Sequence, residues 1–113
     1  CKMGKKISKR IKKLLEDIKK FKSAYGFERV ILFGSFARGD FKKESDVDLI
    51  LVDKRFSSKN VFERGKGLWI KWHVEQKLRY PVDFICYSPE EFERLKKKVS
   101  LVSEALKEGI EIE

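Results

Sequence analysis

Val30-Ile31-Leu32-Phe33-Gly34-Ser35-Phe36-Ala37-Arg38-Gly39-Asp40, continued a few residues on by Ser45-Asp46-Val47-Asp48-Leu49-Ile50-Leu51-Val52, decides how this chain folds. The apolar run Val30 to Phe33 reads as a buried strand, and Gly34-Ser35 turns the chain sharply, with no Cβ on Gly34 to hold a phosphate away. A helical turn over Ser35 to Arg38 directs its free backbone N–H groups and its dipole at an anion. Asp46-Val47-Asp48 then leads into a second strand, Leu49 to Val52. Side chains alternate across a strand, so Asp46 and Asp48 share a face with Cβ atoms roughly 6 to 7 Å apart. That is the outline of a divalent-metal site.

Hard Mg²⁺ favours carboxylate and phosphate oxygens and takes one or two protein carboxylates before substrate phosphates complete its shell. In a two-metal displacement, with ions about 3.5 to 4 Å apart, a third carboxylate on a neighbouring strand is expected. Asp83 is the candidate. It lies in Tyr80-Pro81-Val82-Asp83-Phe84-Ile85-Cys86-Tyr87, read as an apolar strand in which a carboxylate is otherwise an unexplained desolvation cost. Arg38, inside the phosphate turn, is placed to meet triphosphate oxygens bidentately.

The rest of the chain alternates between elements. Ile7, Ile11, Leu14, Leu15, Ile18, Phe21 and Tyr25 recur at helical spacing and Gly26 is set to stop that helix. Asn60-x-x-Glu63 reads as a capping box opening a helix to about Arg79, weakened by Gly65 and Gly67. Ser88-Pro89-Glu90-Glu91 opens another, carried by Phe92, Leu95, Val99, Val102 and Leu106 as one long or two short helices to Gly109. Ile110-Glu111-Ile112 reads as a short edge strand. The sum is an α+β fold, α-β-α-β-α-β-α with a last short strand, helices packed on a small mixed sheet.

With 113 residues, 42% of them hydrophobic, the chain is expected to form one unit over 1–113, a basic N-terminal helix over 1–26 and a core over 27–113. Residues 1–26 hold ten Lys/Arg against Glu16 and Asp17, a net +8 of the total +9. The lysine-rich face of that helix reads either as a surface for nucleic acid or an acidic partner, or as a solvated face lying away from the aspartates. One Asn, one Gln and no Thr beside abundant Lys and Glu is a heat-adapted composition. No apolar stretch nears the roughly 20 residues of a membrane span, so no membrane role and a cytoplasmic location are expected. Cys1 and Cys86 support neither a zinc site nor a disulfide framework, and Cys86 reads as a buried thiol.

Gly34-Ser35, ten intervening residues, Asp46-x-Asp48, with Ala37-Arg38-Gly39 between and Asp83 later, resembles the DNA polymerase beta-like nucleotidyltransferase superfamily, and within it the minimal nucleotidyltransferases. The resemblance covers Phe27 to about Glu113. It implies transfer of a nucleoside monophosphate, AMP from ATP, onto an acceptor hydroxyl with release of pyrophosphate. It also implies two Mg²⁺ ions and, as partner and acceptor, a small helical protein from a neighbouring gene, the chain being the antitoxin of a toxin-antitoxin-like module. In that reading Asp46, Asp48 and Asp83 are catalytic and metal-ligating, Asp83 lying nearest the general base, while Gly34, Ser35 and Arg38 hold the nucleotide. Two other readings compete. One is a catalytically weak module that neutralises a helical partner by contact; the other is a nucleic-acid-binding protein using the basic helix.

Other residues carry plainer expectations. His73, the one histidine, reads as structural, and one of Trp69 and Trp72 as exposed for a partner. Asp40, Glu44 and Asp53 read as loop charges, and Phe36, Phe41 or Phe56 stack on a base only if exposed.

Overall fold

The computed structural model describes residues 9–40, 42, 45–57 and 61–113; Cys1, Ile7, Phe41, Glu44, Asn60 and the side chain of Phe62 lie outside the described set. Helix α1, Lys9–Tyr25, forms on the apolar stripe, with Leu14, Ile18 and Phe21 fully buried. Gly26 ends it in the left-handed region (φ 67°), its N–H donating to the Lys22 carbonyl at 2.9 Å.

Strand β1 (Arg29–Phe33) lies inside a four-stranded sheet. On one side it pairs antiparallel with β2 (Val47–Val52), whose other edge pairs parallel with β3 (Val82–Tyr87). On its far side β1 pairs antiparallel with β4 (Ile110–Ile112), giving the order β3-β2-β1-β4 and the expected mixed sheet with its last short strand. Alternation along β1 and β2 divides the core between the two faces. Val30, Leu32, Val47, Leu49 and Leu51 meet α1, Phe56 and Trp72 on one face. Ile31, Ile50 and Val52 meet Phe92, Val102 and Ala105 on the other, from helices α5 (Pro89–Lys96) and α6 (Leu101–Glu108). The Ser88–Glu91 capping box is formed as read, and Ser100 opens α6 in the same manner with Ser103.

Between the Gly34-Ser35 turn and β2, helix α2 is a single turn, Ser35–Arg38. Between β2 and β3 the expected helix to Arg79 is broken up. Helix α3 covers Val61–Arg64, Gly67 turns the chain at φ 82°, and α4 (Leu68–Ile70) widens into a π-helical turn over Lys71–Glu75. The glycines that only weakened the helix in the sequence reading end it here. Trp72 then anchors the return: its indole N–H donates to the Tyr80 carbonyl and its own carbonyl accepts from Leu78 N–H, both at 3.0 Å. Trp72 is fully buried while Trp69 is 61% exposed, as expected of the pair. His73 Nδ1 lies 2.9 Å from the Leu78 carbonyl, a structural contact.

Two readings need correction, and the exposure on which stacking by Phe36 or Phe56 depends is not found. Asp53 is buried and no loop charge: it caps the 3₁₀ turn at 54–56 by accepting from Arg55 N–H, and it also accepts from Glu28 N–H. Phe36 and Phe56 are buried in the core and cannot stack on a base. The basic helix does not lie away from the aspartate end along its whole length. It runs antiparallel to β1: Lys22 reaches the Ile112 carbonyl opposite the start of β1, while Arg10 sits 5.8 Å over the ring of Phe36, just past the end of β1. Among the described residues no helix is long and apolar enough to cross a membrane.

Candidate active site

The pairings bring the marked residues to one end of the sheet. β1 runs into Gly34 there, β2 and β3 both start there, and the register sets Phe33 opposite Asp48 and Asp48 opposite Asp83. Asp48 and Asp83 share a sheet face because they are cross-strand partners, and Asp46 lies one residue before the start of β2, near enough for its charge to act on Asp48. Asp46 and Asp83 are exposed and Asp48 is half-buried. The desolvation argument for Asp83 therefore fails, since β3 is an edge strand and its carboxylate is in water. What marks Asp83 is its register with Asp48.

Gly34 adopts φ 76°, ψ −155°, a combination essentially confined to glycine. A Cβ there would overlap Oδ2 of Asp48 and lie 3.3 Å from its Cγ. The glycine is thus needed twice, for the turn and for the space the carboxylate fills. Ser35 to Ala37 precede the first bond of the turn, Arg38 N–H to the Gly34 carbonyl at 3.1 Å, so this stretch forms the N-terminal end of the single-turn α2. Gly39, at φ 85°, closes the turn by donating to the Ser35 carbonyl.

Arg38 extends between Asp40 (Nε to Oδ2, 3.3 Å) and Glu108 at the end of α6 (Nη1 to Oε2, 3.8 Å). Both pairs are exposed and weak, so the guanidinium is only loosely held. Glu108 was not marked by the sequence reading: a glutamate at a helix end carries no local signal, and only the packing of α6 beside α2 brings it to Arg38.

Burial pushes the Asp48 carboxyl above its ordinary range, and the charges of Asp83 and then Asp46 push it further, with Arg38 opposing. A half-buried carboxylate between two others is a site a cation relieves, so this donor set fits a divalent ion. Among the described residues no group of three or more Asp, Glu, His or Cys side chains is drawn close enough to hold a metal ion by itself. Cys86, read as a buried thiol, is half-buried, and burial pushes its thiol up to about 11, so it is protonated and unreactive at neutral pH.

Comparison with known proteins agrees with this geometry. A family model described as "Nucleotidyltransferase domain" matches residues 10–112. A protein of Methanocaldococcus jannaschii named "Putative protein adenylyltransferase" is 35% identical over 105 residues, covering 88% of this chain and 98% of that protein. A second of the same description and organism is 44% identical over 43 residues, covering 36% of this chain and 43% of that protein. The solved structure described as "a putative nucleotidyltransferase from Sulfolobus solfataricus" superposes with a TM-score of 0.57 at 31% identity, covering 87% of this chain and 89% of that one. With the family model spanning nearly the whole chain and a relative matched over almost its full length, this chain belongs to the nucleotidyltransferase family and is a transferase enzyme.

Proposed function

We propose that the chain transfers AMP from ATP to a hydroxyl group on a partner protein, releasing pyrophosphate. The observation that carries this is the alignment of Asp48 and Asp83 across adjacent strands beside Gly34, whose missing Cβ makes room for Asp48. Gly34 and Ser35 hold the terminal phosphates, and Arg38 swings from its weak surface pairs to neutralise the leaving pyrophosphate. Asp46 and Asp48 would hold Mg²⁺, with Asp83 completing the set and serving as the carboxylate that takes up the acceptor proton. Bound Mg²⁺ supplies charge neutralisation at the phosphates and lowers the pKa of the attacking hydroxyl. A protein acceptor is favoured by the printed name of the Methanocaldococcus relatives, protein adenylyltransferase. The partner we propose is a small helical protein from a neighbouring gene, with this chain as its antitoxin.

The test is the intact mass of such a partner after incubation with this protein, Mg²⁺ and each nucleoside triphosphate in turn. A gain of one or more AMP units with ATP is expected. Asp48→Asn should yield none while staying folded, with unchanged or higher thermal stability in metal-free buffer, because it relieves a crowd of like charges. Undiminished AMP transfer by that variant would remove Asp48 from the site.

A further inference from the structure

We infer that the acceptor hydroxyl is delivered on an extended segment of the partner protein that adds, antiparallel, to the outer edge of β3 as a fifth strand. This rests on the transfer reaction proposed above and concerns how its acceptor is held.

Among the described residues β3 ends the sheet, and no strand pairs with its outer edge. The inward edge is identified by its bonds: the Pro81 carbonyl accepts from Val47 N–H (2.7 Å) and the Tyr87 carbonyl from Asp53 N–H (3.2 Å). Backbone groups alternate along a strand, so Asp83 and Ile85 also point at β2, while Val82, Phe84 and Cys86 point outward. The outward Cys86 carbonyl already accepts from Arg64 Nη1 at 3.2 Å, where the end of α3 covers the edge. Among the described residues nothing bonds the outward N–H and C=O groups of Val82 and Phe84. The open window of the edge is therefore the stretch centred on Asp83.

Register does the rest. A residue of an added antiparallel strand opposite Asp83 forms a non-hydrogen-bonded pair with it, and its side chain projects onto the face that carries Asp83, with Cβ atoms roughly 4.5 to 5.5 Å apart. Asp48, Asp83 and the acceptor residue then stand in one row across three strands. The hydroxyl oxygen bonds to the α-phosphorus of ATP as the bond from that phosphorus to the bridging oxygen breaks. Pyrophosphate leaves with the electron pair, and the hydroxyl proton passes to the Asp83 carboxylate and on to water. Beyond Asp83, a cavity of about 450 Å³ between Arg64, Glu91 and the stretch from Phe84 to Tyr87 receives a flanking side chain.

Charge selects the occupant. A second copy paired through its own β3 about this window would set Asp83 against Asp83 and one aspartate cluster beside the other, which like-charge repulsion disfavours. The segment that fits has its hydroxyl residue flanked, on the same face, by basic or neutral side chains.

The experiment uses synthetic peptides of about nine residues, alternating Lys and Val, with Ser, Thr or Tyr at the centre. AMP transfer from ATP is followed by mass, and turnover onto glycerol is followed in parallel. At least one peptide should be modified, and N-methylation of the amides on either side of its hydroxyl residue should raise KM ten-fold or more. Methylation of that residue's own amide, which faces solvent in this pairing, should change KM less than two-fold. With the centre replaced by Ala, the peptide should slow hydrogen exchange of the Val82 and Phe84 amides by ten-fold or more and leave those of Asp83 and Ile85 unchanged. Transfer that is insensitive to flanking N-methylation, or that proceeds with no protection of Val82 and Phe84, overturns the inference while glycerol turnover leaves the reaction itself standing. Protection that appears with protein concentration alone assigns the edge to self-association and also overturns it. Absence of turnover onto both glycerol and peptide sinks the proposed reaction and this inference together.

Discussion

Gly34→Ala tests the physical core of the site, because two separable costs fall on one added methyl group. The first is backbone strain: at φ 76°, ψ −155° a residue with a Cβ costs about 1 to 3 kcal/mol. The second is the collision with Asp48, whose carboxylate must turn out of its rotamer at about 0.5 to 1.5 kcal/mol. Together they amount to about 1.5 to 4.5 kcal/mol, a fall in Tm of roughly 6 to 18 °C if each kcal/mol is worth about 4 °C at this size. Asp48→Ala removes only the second cost. Urea unfolding of the parent, both single variants and the double variant should therefore show a coupling of about 0.5 to 1.5 kcal/mol, the double variant losing less than the sum. Below its Tm, Gly34→Ala should also lose pyrophosphate release, because Asp48 is displaced. An unfolding midpoint equal to the parent's refutes the strain argument; a coupling of zero refutes the contact between Gly34 and Asp48.

Other outcomes follow from the same geometry. Burial alone would raise the Asp53 carboxyl, but hydrogen bonds from the Arg55 amide and guanidinium and from Glu28 N–H outweigh it and hold the group below its ordinary value. Its folded pKa is thus depressed, so its stabilisation is full above an unfolded value of about 3.9 and lost as pH falls through the folded one. Asp53→Asn should lower stability at pH 7 and flatten the acid limb of the stability curve; an unchanged limb contradicts the assignment. Trp69→Phe should leave only blue-shifted emission shielded from acrylamide, and Trp72→Ala should cost about 3 to 5 kcal/mol in urea unfolding. Lys9 and Lys12 start α1 at the site end, whereas Lys19 and Lys20 lie toward the other. Neutralising the first pair to Gln should weaken ATP binding a few-fold at low salt, an effect lost at about 0.5 M salt, and neutralising the second should leave it unchanged. Equal responses from the two pairs would contradict the orientation of α1.

The parts of the fold legible in the sequence are those specified locally. The alternation of β2 and the Gly34-Ser35 turn bring Asp48 beside Gly34, and the capping box at Ser88 needs only residues within four positions. The helix read to Arg79 failed because its end depends on Trp72 finding the Tyr80 carbonyl and on Gly67 going left-handed, choices made by tertiary packing. Asp53 looked like a loop charge because its partners, Arg55 and the distant Glu28 amide, meet only once β1 and β2 are paired. Asp83 stands out by its place in an apolar run, but desolvation does not mark it: a carboxylate on an edge strand meets water, and edge position follows from sheet order, which no single strand encodes. The burial of Phe36 was hidden for the same reason, its partner face being supplied by α1.

The pairing of Val30 with Ile112 and of Leu32 with Ile110 sets the order in which this fold can assemble. Three of the four strands, β1, β2 and β3, lie before residue 88, and they can collapse on α1 early. β4 closes on β1 across the longest loop in the sheet, a step whose entropic cost grows with separation and which slows folding. Until it does, the backbone groups along the apolar edge of β1 stay unpaired, which is the state most prone to join another chain. Since β4 is short and joined to α6 by a single residue, the late step must bring helix and strand home together, and refolding yield should fall as protein concentration rises.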